Sequence, residues 1–131
     1  MLIVEPTDVS YGFWTGGAQG RLLIHRCASC GRWFHPPGLV CIHCRSREVA
    51  PNAVSGRATL AAFTVNYYEW SARFPPPYVV AIVELDEDPL VRLTTNIVNC
   101  KFEQLKVGMQ MIVAFRRDGD MWLPLFEPKM K

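Results

Sequence analysis

The chain has 131 residues, half of them apolar, and a formal net charge of +2. This length fits one domain, or one small domain with an appendage. No stretch reaches the roughly 18 consecutive apolar residues of a membrane-spanning helix, and residues 1–10 lack the features of a secretory signal. We therefore expect a cytoplasmic protein without a membrane span, and so small a charge does not by itself indicate a nucleic-acid partner.

The first segment, residues 1–24, is predicted to be an N-terminal arm. Phe13 and Trp14 are its aromatic anchors, whereas Gly16 and Gly17 each weaken a helix by about 1 kcal/mol relative to alanine. We expect a short or broken helix, followed by a strand that leads into the first cysteine. The two aromatic side chains suit either a partner surface or the core of the domain itself.

The second segment, residues 25–50, contains two C-x-x-C pairs separated by ten residues: Cys27, Cys30, Cys41 and Cys44. A two-residue gap places both thiolates on one side of a tight turn, and two such turns close a tetrahedron with metal–sulfur distances of about 2.3 Å. Four thiolates complete the coordination shell, so we predict a structural metal, Zn²⁺ in preference to iron. The histidines in this segment, His25, His35 and His43, are not needed as ligands.

The two cysteine turns differ at the residue that follows them. Gly31 follows the first pair and suits a knuckle in which backbone amides point at sulfur, whereas Arg45 follows the second pair. We therefore predict a less ideal second turn. The remaining cysteine, Cys100, is interpreted as a small core residue.

The cysteine segment is also rich in arginine. Between Asp8 and Glu48 the chain has five arginines and no acidic residue. One interpretation is that they offset the negative charge of a zinc tetrathiolate. The alternative is an anion site for phosphate groups.

The third segment, residues 51–131, is predicted to form a β-barrel. Apolar residues there recur with a period of two, which is typical of strands, and residues 48–55 are interpreted as a connector. The predicted strands are 60–67, 78–86, 90–95, 109–116 and 121–126, with one short helix within residues 102–107. Five strands with a helix between the third and fourth predict a barrel of the OB type, and a small sandwich is the alternative.

A long aromatic connection joins the first two barrel strands. OB folds often bind ligands at the barrel mouth, where such a connection lies. Its candidate partner-binding or ligand-binding residues are Tyr67, Tyr68, Trp70, Arg73, Phe74, Pro76 and Tyr78. Aromatic side chains beside arginine suit nucleic-acid bases, an adenine-containing cofactor or another protein, and the competing interpretation is a loop that packs on its own barrel.

No set of residues indicates catalysis. The chain contains no nucleophile elbow, phosphate-binding loop or dinucleotide fingerprint. Glu84 and the acidic residues at 86–88 are interpreted as a solvated turn and its approach. We therefore predict no catalytic residue.

Several segments, in this order, resemble the DUF35 family of OB-fold proteins with a rubredoxin-like zinc ribbon. They are RLLIHRCASCGR at 21–32, HPPGLVCIHC at 35–44, FPPPYVVAIVELD at 74–86, LTTNIV at 93–98 and LKVGM at 105–109. The resemblance extends from Phe13 to Pro128. The sequence departs from the family pattern at residues 15–17, where family members usually have residues that favour a helix more strongly. This departure puts the helical arm in doubt.

The resemblance implies a function that composition and spacing do not show. Proteins of this family are similar to accessory subunits of thiolase-like or lipid-transfer-protein-like acyl-CoA enzymes, including thiolases and aldolases of steroid side-chain breakdown. The catalytic chemistry then belongs to the partner, and this chain stabilises it and shapes the acyl-CoA channel. The aromatic connection would face the partner or the acyl-CoA path at the shared interface. The alternative is a zinc-ribbon and OB-fold module that binds nucleic acid.

Overall fold

The computed structural model describes residues 7–129, so the predictions for residues 1–6 lie outside the described part. The fold is mainly β, with one short N-terminal helix, as predicted. The elements are helix α1 (Tyr11–Thr15), a 3₁₀ turn (Gly16–Gln19), strands β1 (Leu22–Cys27), β2 (Trp33–Phe34), β3 (Val49–Val54), β4 (Arg57–Asn66), β5 (Tyr78–Leu85) and β6 (Arg92–Ile97), a second 3₁₀ turn (Phe102–Gln104), and strands β7 (Gln110–Asp118) and β8 (Met121–Pro128).

The chain divides into two compact units. The first contains the residues up to Gly56 together with Phe115–Pro124, the tip of the hairpin formed by β7 and β8. The second contains Arg57–Ala114 and the chain from Leu125 onward. The first predicted domain limit, between residues 24 and 25, falls within β1, and the second, between residues 50 and 51, falls within β3. The three-domain organisation stays a prediction.

The first unit is built on a three-stranded sheet in the order β2–β1–β3. β1 pairs with β3 along its whole length, from Leu22 opposite Val54 to Cys27 opposite Val49. The prediction of a connector at residues 48–55 was therefore wrong. Pro51 resembles a connector residue in the sequence, but β3 is an edge strand, where proline removes no necessary ladder hydrogen bond.

The N-terminal arm forms despite its two glycines. A Cβ atom on Gly17 would lie 2.5 Å from Cβ of Trp122 and 2.7 Å from Cδ1 of Phe115, and one on Gly16 would lie 2.5 Å from the carbonyl oxygen of Arg21. These positions therefore require glycine because of close approach. Phe13 is buried, which supports the interpretation that it belongs to the core of its own unit.

The barrel is closed, with strand order β4–β5–β6–β8–β7, and this closure confirms the OB prediction over the small sandwich. Burial alternates strictly along β5, so every second side chain faces the interior. β4 pairs with β5 from Ala58 opposite Leu85 to Asn66 opposite Tyr78, with a bulge between Leu60 and Ala62.

The helix predicted within residues 102–107 is only a 3₁₀ turn of three residues, Phe102–Gln104. Lys101 and Leu105, which flank it, both have extended backbone conformations, and no side chain caps its N-terminus. The extended conformation of Leu105 ends the turn, so the predicted helix does not continue to residue 107.

Candidate metal centre and an exposed aromatic loop

The cysteine pairs lie on two short turns of the first unit. Cys27 is the last residue of β1, and Cys30 follows in the turn that leads to β2. Cys41 and Cys44 lie in the long connection between β2 and β3. Because β1 pairs with both neighbouring strands, the first turn is anchored on a sheet rather than on an isolated loop.

The backbones of the two turns make equivalent hydrogen bonds. In the first, the amide of Gly31 donates to the carbonyl of Cys27 at 2.8 Å and the amide of Cys27 donates to Arg32 at 3.0 Å. In the second, the amide of Arg45 donates to Cys41 at 3.0 Å and the amide of Cys41 donates to Ser46 at 2.9 Å. Two copies of one knuckle thus face the same point.

The four sulfur atoms converge. All four Sγ atoms lie within 4.8 Å of one another. Sγ of Cys27 is 3.5 Å from Sγ of Cys44, and Sγ of Cys30 is 3.7 Å from Sγ of Cys41. Four thiolates at about 2.3 Å from a tetrahedral zinc ion are about 3.8 Å apart, so the cluster fits Zn²⁺.

Backbone amides donate hydrogen bonds to two of the sulfur atoms, which favours their thiolate form. The amide of Cys30 donates to Sγ of Cys27 at 3.4 Å, and the amide of His43 donates to Sγ of Cys41 at 3.3 Å. The hydrogen bond from Cys30 is the main cause that lowers the pKa of the Cys27 thiol to about 6. A thiol that ionises readily is a better metal ligand, because only the thiolate binds.

The metal cluster has one buried side and one exposed side. Cys27 and Cys41 are buried with Phe34 in a small apolar cluster against which Val49 packs, whereas Cys30 and Cys44 are exposed. The shell has no open position for a substrate, as a structural site requires. The zinc prediction is thereby confirmed, and zinc would contribute folding free energy to this unit.

The three histidines have environments of their own. The His25 ring is buried with its centroid 5.6 Å from that of Phe34, and the His35 ring lies 4.8 Å from Phe13. Nε2 of His43 lies 3.3 Å from the carbonyl oxygen of Trp33. Burial lowers the pKa of His25, and burial together with the charge of His25 lowers the pKa of His35 to about 4.

One arginine of the cysteine segment is fixed against a knuckle. Nε of Arg26 donates to the carbonyl oxygen of Gly31 at 2.9 Å, and its guanidinium lies 4.8 Å from the centroid of the Trp33 ring. All five arginines of this segment are exposed, Arg26 included. Charge compensation of the zinc site and an anion site both stay predictions.

The aromatic connection predicted as a binding surface is an exposed loop at residues 67–77, between β4 and β5. Three large aromatic side chains project from it: Tyr67 is 69 % exposed, Tyr68 64 % and Trp70 75 %. Phe74, Pro76 and Tyr78 are half-buried, and Arg73 is exposed. The interpretation of a loop packed entirely on its own barrel therefore does not hold for its first half.

Hydrogen bonds order the exposed half of the loop. Nε1 of Trp70 donates to Oδ1 of Asn66 at 3.1 Å, and Nδ2 of Asn66 donates to the carbonyl of Tyr68 at 2.6 Å. The Tyr68 and Trp70 rings lie side by side, with centroids 4.6 Å apart. Asn66 was not among the predicted site residues, because an asparagine at the end of a strand gives no sequence signal of this role.

Five of the seven predicted residues make aromatic contacts, in three groups. Tyr68 and Trp70 make one pair, while Tyr67 contacts Phe102 of the second 3₁₀ turn at a centroid distance of 6.0 Å. Phe74 and Tyr78 make a second pair at 6.2 Å. The support of the loop by Phe102 was not predicted from the sequence.

The acidic residues near the turn after β5 have structural partners. Oε2 of Glu84 accepts from Nη2 of Arg92 at 2.9 Å, and Oδ2 of Asp86 lies 3.7 Å from Nε of Arg57. These exposed pairs agree with the interpretation of a solvated turn.

In the described part of the chain, no helix has the length and apolar character needed to cross a membrane.

Two family models match the chain. Residues 14–50 match the rubredoxin-like zinc ribbon domain of ChsH2, and residues 52–116 match the C-terminal OB-fold domain of ChsH2. The two matches divide the chain between the metal centre and the barrel.

Three curated relatives are similar in sequence. A DUF35 domain-containing scaffold protein of Methanocaldococcus jannaschii is 36 % identical over 104 residues, which cover 72 % of this chain and 70 % of the relative. A second scaffold protein of this name, from Methanothermobacter thermautotrophicus, is 32 % identical and covers 70 % of this chain and 69 % of the relative. A probable enoyl-CoA hydratase alpha subunit of Thermomonospora curvata is 36 % identical over 118 residues, 88 % of this chain, which spans only 36 % of that protein's length.

Two solved structures have the same fold. A structure of the Ltp2–ChsH2(DUF35) aldolase contains a chain with 34 % identity and a TM-score of 0.84, over 95 % of this chain and 98 % of that one. A crystal structure of a DUF35-family protein of unknown function from Sulfolobus solfataricus has 17 % identity and a TM-score of 0.63, over 93 % of this chain and 86 % of that one. The second match concerns the fold alone.

Proposed function

This chain belongs to the DUF35 family of zinc-ribbon and OB-fold proteins, and from that premise we propose that it is a non-catalytic accessory subunit of a thiolase-like or lipid-transfer-protein-like acyl-CoA enzyme. The names of its relatives support this proposal: two are scaffold proteins, one is a probable enoyl-CoA hydratase alpha subunit, and one belongs to an aldolase with Ltp2. We infer the acyl-CoA substrate and the partner of this chain from those names.

The observation that carries the proposal is the exposed loop at residues 67–77. Soluble proteins rarely leave several large aromatic side chains together in water unless a partner or ligand covers them. Tryptophan and tyrosine are also enriched among the residues that dominate binding free energy at protein interfaces. We infer that Tyr68 and Trp70 bind the partner enzyme.

The order of the loop supports the same role. The Trp70 indole donates to Asn66, and the Asn66 amide donates to the backbone carbonyl of Tyr68, so the Trp70 ring is held before any partner arrives and the Tyr68 ring packs beside it. A side chain that is already ordered loses less conformational entropy on binding, so more of the contact free energy appears as affinity. Phe74 and Tyr78, which are half-buried, would form the base of the surface, and Arg73 would contact the partner or the phosphates of acyl-CoA.

The zinc site serves this function indirectly. A four-thiolate shell offers no position to substrate, so its contribution is to hold the first unit in its fold. We propose that the bond-making residues are on the partner, and that the isolated chain has no turnover on acyl-CoA substrates.

The experiment is co-expression of this chain with a thiolase-like or lipid-transfer-protein-like protein from the same genome, followed by gel filtration with light scattering. We expect a stable complex whose affinity falls at least about tenfold on Trp70→Ala or Tyr68→Ala. Leu90→Ala is the matched control, because Leu90 is 77 % exposed on a different turn. Two results would refute the proposed surface. One is elution of the two proteins as separate species in every co-expression, and the other is an equal loss of affinity for Leu90→Ala and Trp70→Ala.

A second function fits the same exposed rings, since aromatic pairs also stack on single-stranded nucleic acid. Such binding weakens steeply with salt because phosphates release counterions. A salt titration with single-stranded oligonucleotides separates the two functions. Tight binding at low salt that Trp70→Ala abolishes would favour nucleic acid over an enzyme partner.

A further inference from the structure

A concave site lies within the first unit, and none of the four zinc-binding cysteines lines it. It is a pocket of about 290 Å³ between the N-terminal arm and the ribbon. This volume is at the lower end of the roughly 300–1,000 Å³ typical of ligand pockets, so the occupant would be small. The proposed partner function does not use this pocket.

The walls of the pocket are largely aliphatic. Val9 contributes from the arm, Leu39 from the connection that follows β2, and Val49 and Pro51 from β3. Leu39 lines the pocket beside these apolar residues, and its side chain is nevertheless 73 % exposed to solvent. An aliphatic ligand group seated there would remove this apolar surface from water.

The pocket has one acidic and one basic lining residue, together with the buried ring of His25. Asp8 comes from the arm and Arg47 from the segment before β3. Within residues 7–129 these two side chains make no ion pair with each other, so their charged groups are more than 4.0 Å apart. A ligand with charges of both signs could pair with each of them.

We propose that this pocket binds a free aliphatic α-amino acid. Its carboxylate pairs with Arg47, its ammonium group pairs with Asp8, and its hydrocarbon side chain contacts Leu39, Val49 and Pro51. Charge-assisted hydrogen bonds of this kind are stronger than neutral ones and fix the orientation of the ligand. The aliphatic walls select a branched hydrocarbon side chain over a polar one.

The test is a ¹H–¹⁵N NMR titration of the zinc-loaded full chain with three probes that share one hydrocarbon skeleton. L-Leucine carries both charges, 4-methylpentanoate only the carboxylate and 3-methylbutylamine only the ammonium group. We expect saturable shifts of the amides of Leu39, Arg47 and Val49 with leucine. Each single-charge probe should bind at least about tenfold more weakly, because it lacks one charge-assisted contact.

Variants identify the two charged groups. Arg47→Gln and Asp8→Asn should each weaken leucine binding about tenfold, and Arg21→Gln is the matched control, since Arg21 is an exposed arginine of the same unit that does not line the pocket. Zinc content and an unchanged spectrum elsewhere establish that each variant is folded. Leucine without effect at about 10 mM, equal binding of 4-methylpentanoate, or an equal loss with Arg21→Gln would overturn the proposal.

Discussion

Gly31 and Arg45 occupy equivalent positions in the two metal-binding knuckles, and both adopt a left-handed backbone, with φ of 76° and 65°. The amide of each donates to the carbonyl of the first cysteine of its pair. Glycine adopts this conformation freely, whereas a residue with a Cβ atom is strained there by roughly 1–2 kcal/mol. The expected imperfection of the second turn is therefore a conformational strain in a turn whose hydrogen bonds are intact.

Exchange of the two residue types should change stability in opposite directions. Gly31→Ala should destabilise the zinc-loaded chain by about 1 kcal/mol, and the cause is strain alone, because no atom lies within 4 Å of the new Cβ. Arg45→Gly should raise the melting temperature slightly, since relief of strain exceeds the added backbone entropy of glycine in the unfolded chain. Thermal unfolding by circular dichroism measures both. Stabilisation by Gly31→Ala would contradict this account.

Removal of zinc should unfold the first unit. Structural zinc contributes an apparent binding free energy of about 10–16 kcal/mol, which is as large as the whole stability of a typical domain. A chelator, or Cys44→Ser, should abolish the dispersed NMR signals of β1 and β3. Cys100→Ser is the control, because Cys100 is not part of the cluster. Retention of the β1 and β3 signals without metal would show that zinc is dispensable for the fold.

Gly17→Ala should destabilise the chain by about 1–3 kcal/mol. The new methyl group would overlap Trp122 and Phe115, and overpacking of a filled site has a cost of this size. Gly38→Ala is the matched control, since the nearest atom to its new Cβ is 3.8 Å away. Chemical denaturation compares the two, and equal effects would argue against close packing at Gly17.

His35 should make stability depend on pH. Its pKa is lowered to about 4, first by burial and then by His25, and its buried Nδ1 has no hydrogen-bond partner in the described part of the chain. In the unfolded chain His35 has the usual histidine pKa of about 6.5, so it binds a proton at a higher pH there than in the folded chain. The free energy of unfolding therefore falls as the pH decreases from about 6.5 to about 4.

The variant His35→Phe tests this dependence. It keeps a ring against Phe13 and removes both the titration and the orphaned nitrogen, so it should flatten the fall of the melting temperature between about pH 6.5 and 5. Zinc loss at low pH affects both proteins and cancels in their difference. Parallel curves for the two proteins would contradict the assignment to His35.

Asn66→Ala should release the aromatic pair of the loop. Loss of its two hydrogen bonds leaves Trp70 free to reorient, while the exposed site changes global stability by no more than about 1 kcal/mol. The indole N–H of Trp70 reports this in NMR, and we expect faster exchange with solvent. Thr64→Ala, on the same strand, is the control. An unchanged exchange rate for Asn66→Ala would show that the loop is ordered by other contacts.

The elements that sequence analysis predicted correctly are those with a local signal. Alternating burial along β5 and the spacing of the four cysteines are both visible within a dozen residues. β3 was missed because Pro51 carries the signal of a connector, and only its edge position makes that residue compatible with a strand.

The remaining features depend on partners that are distant in the chain. The need for glycine at position 17 arises from Phe115 and Trp122, about a hundred residues later. The support of Tyr67 by Phe102 is of the same kind. No spacing or composition reveals such contacts, because they exist only once the chain has folded.

The first unit is discontinuous, since it is completed by the hairpin tip Phe115–Pro124. During synthesis the metal-binding turns therefore leave the ribosome long before the residues that cover Gly17. A fragment that ends at Gly56 holds all four zinc ligands but lacks that cover, and it would expose the arm to proteases. Insertion of the ribbon alone into another protein would therefore carry the metal ligands without the packing that covers Gly17.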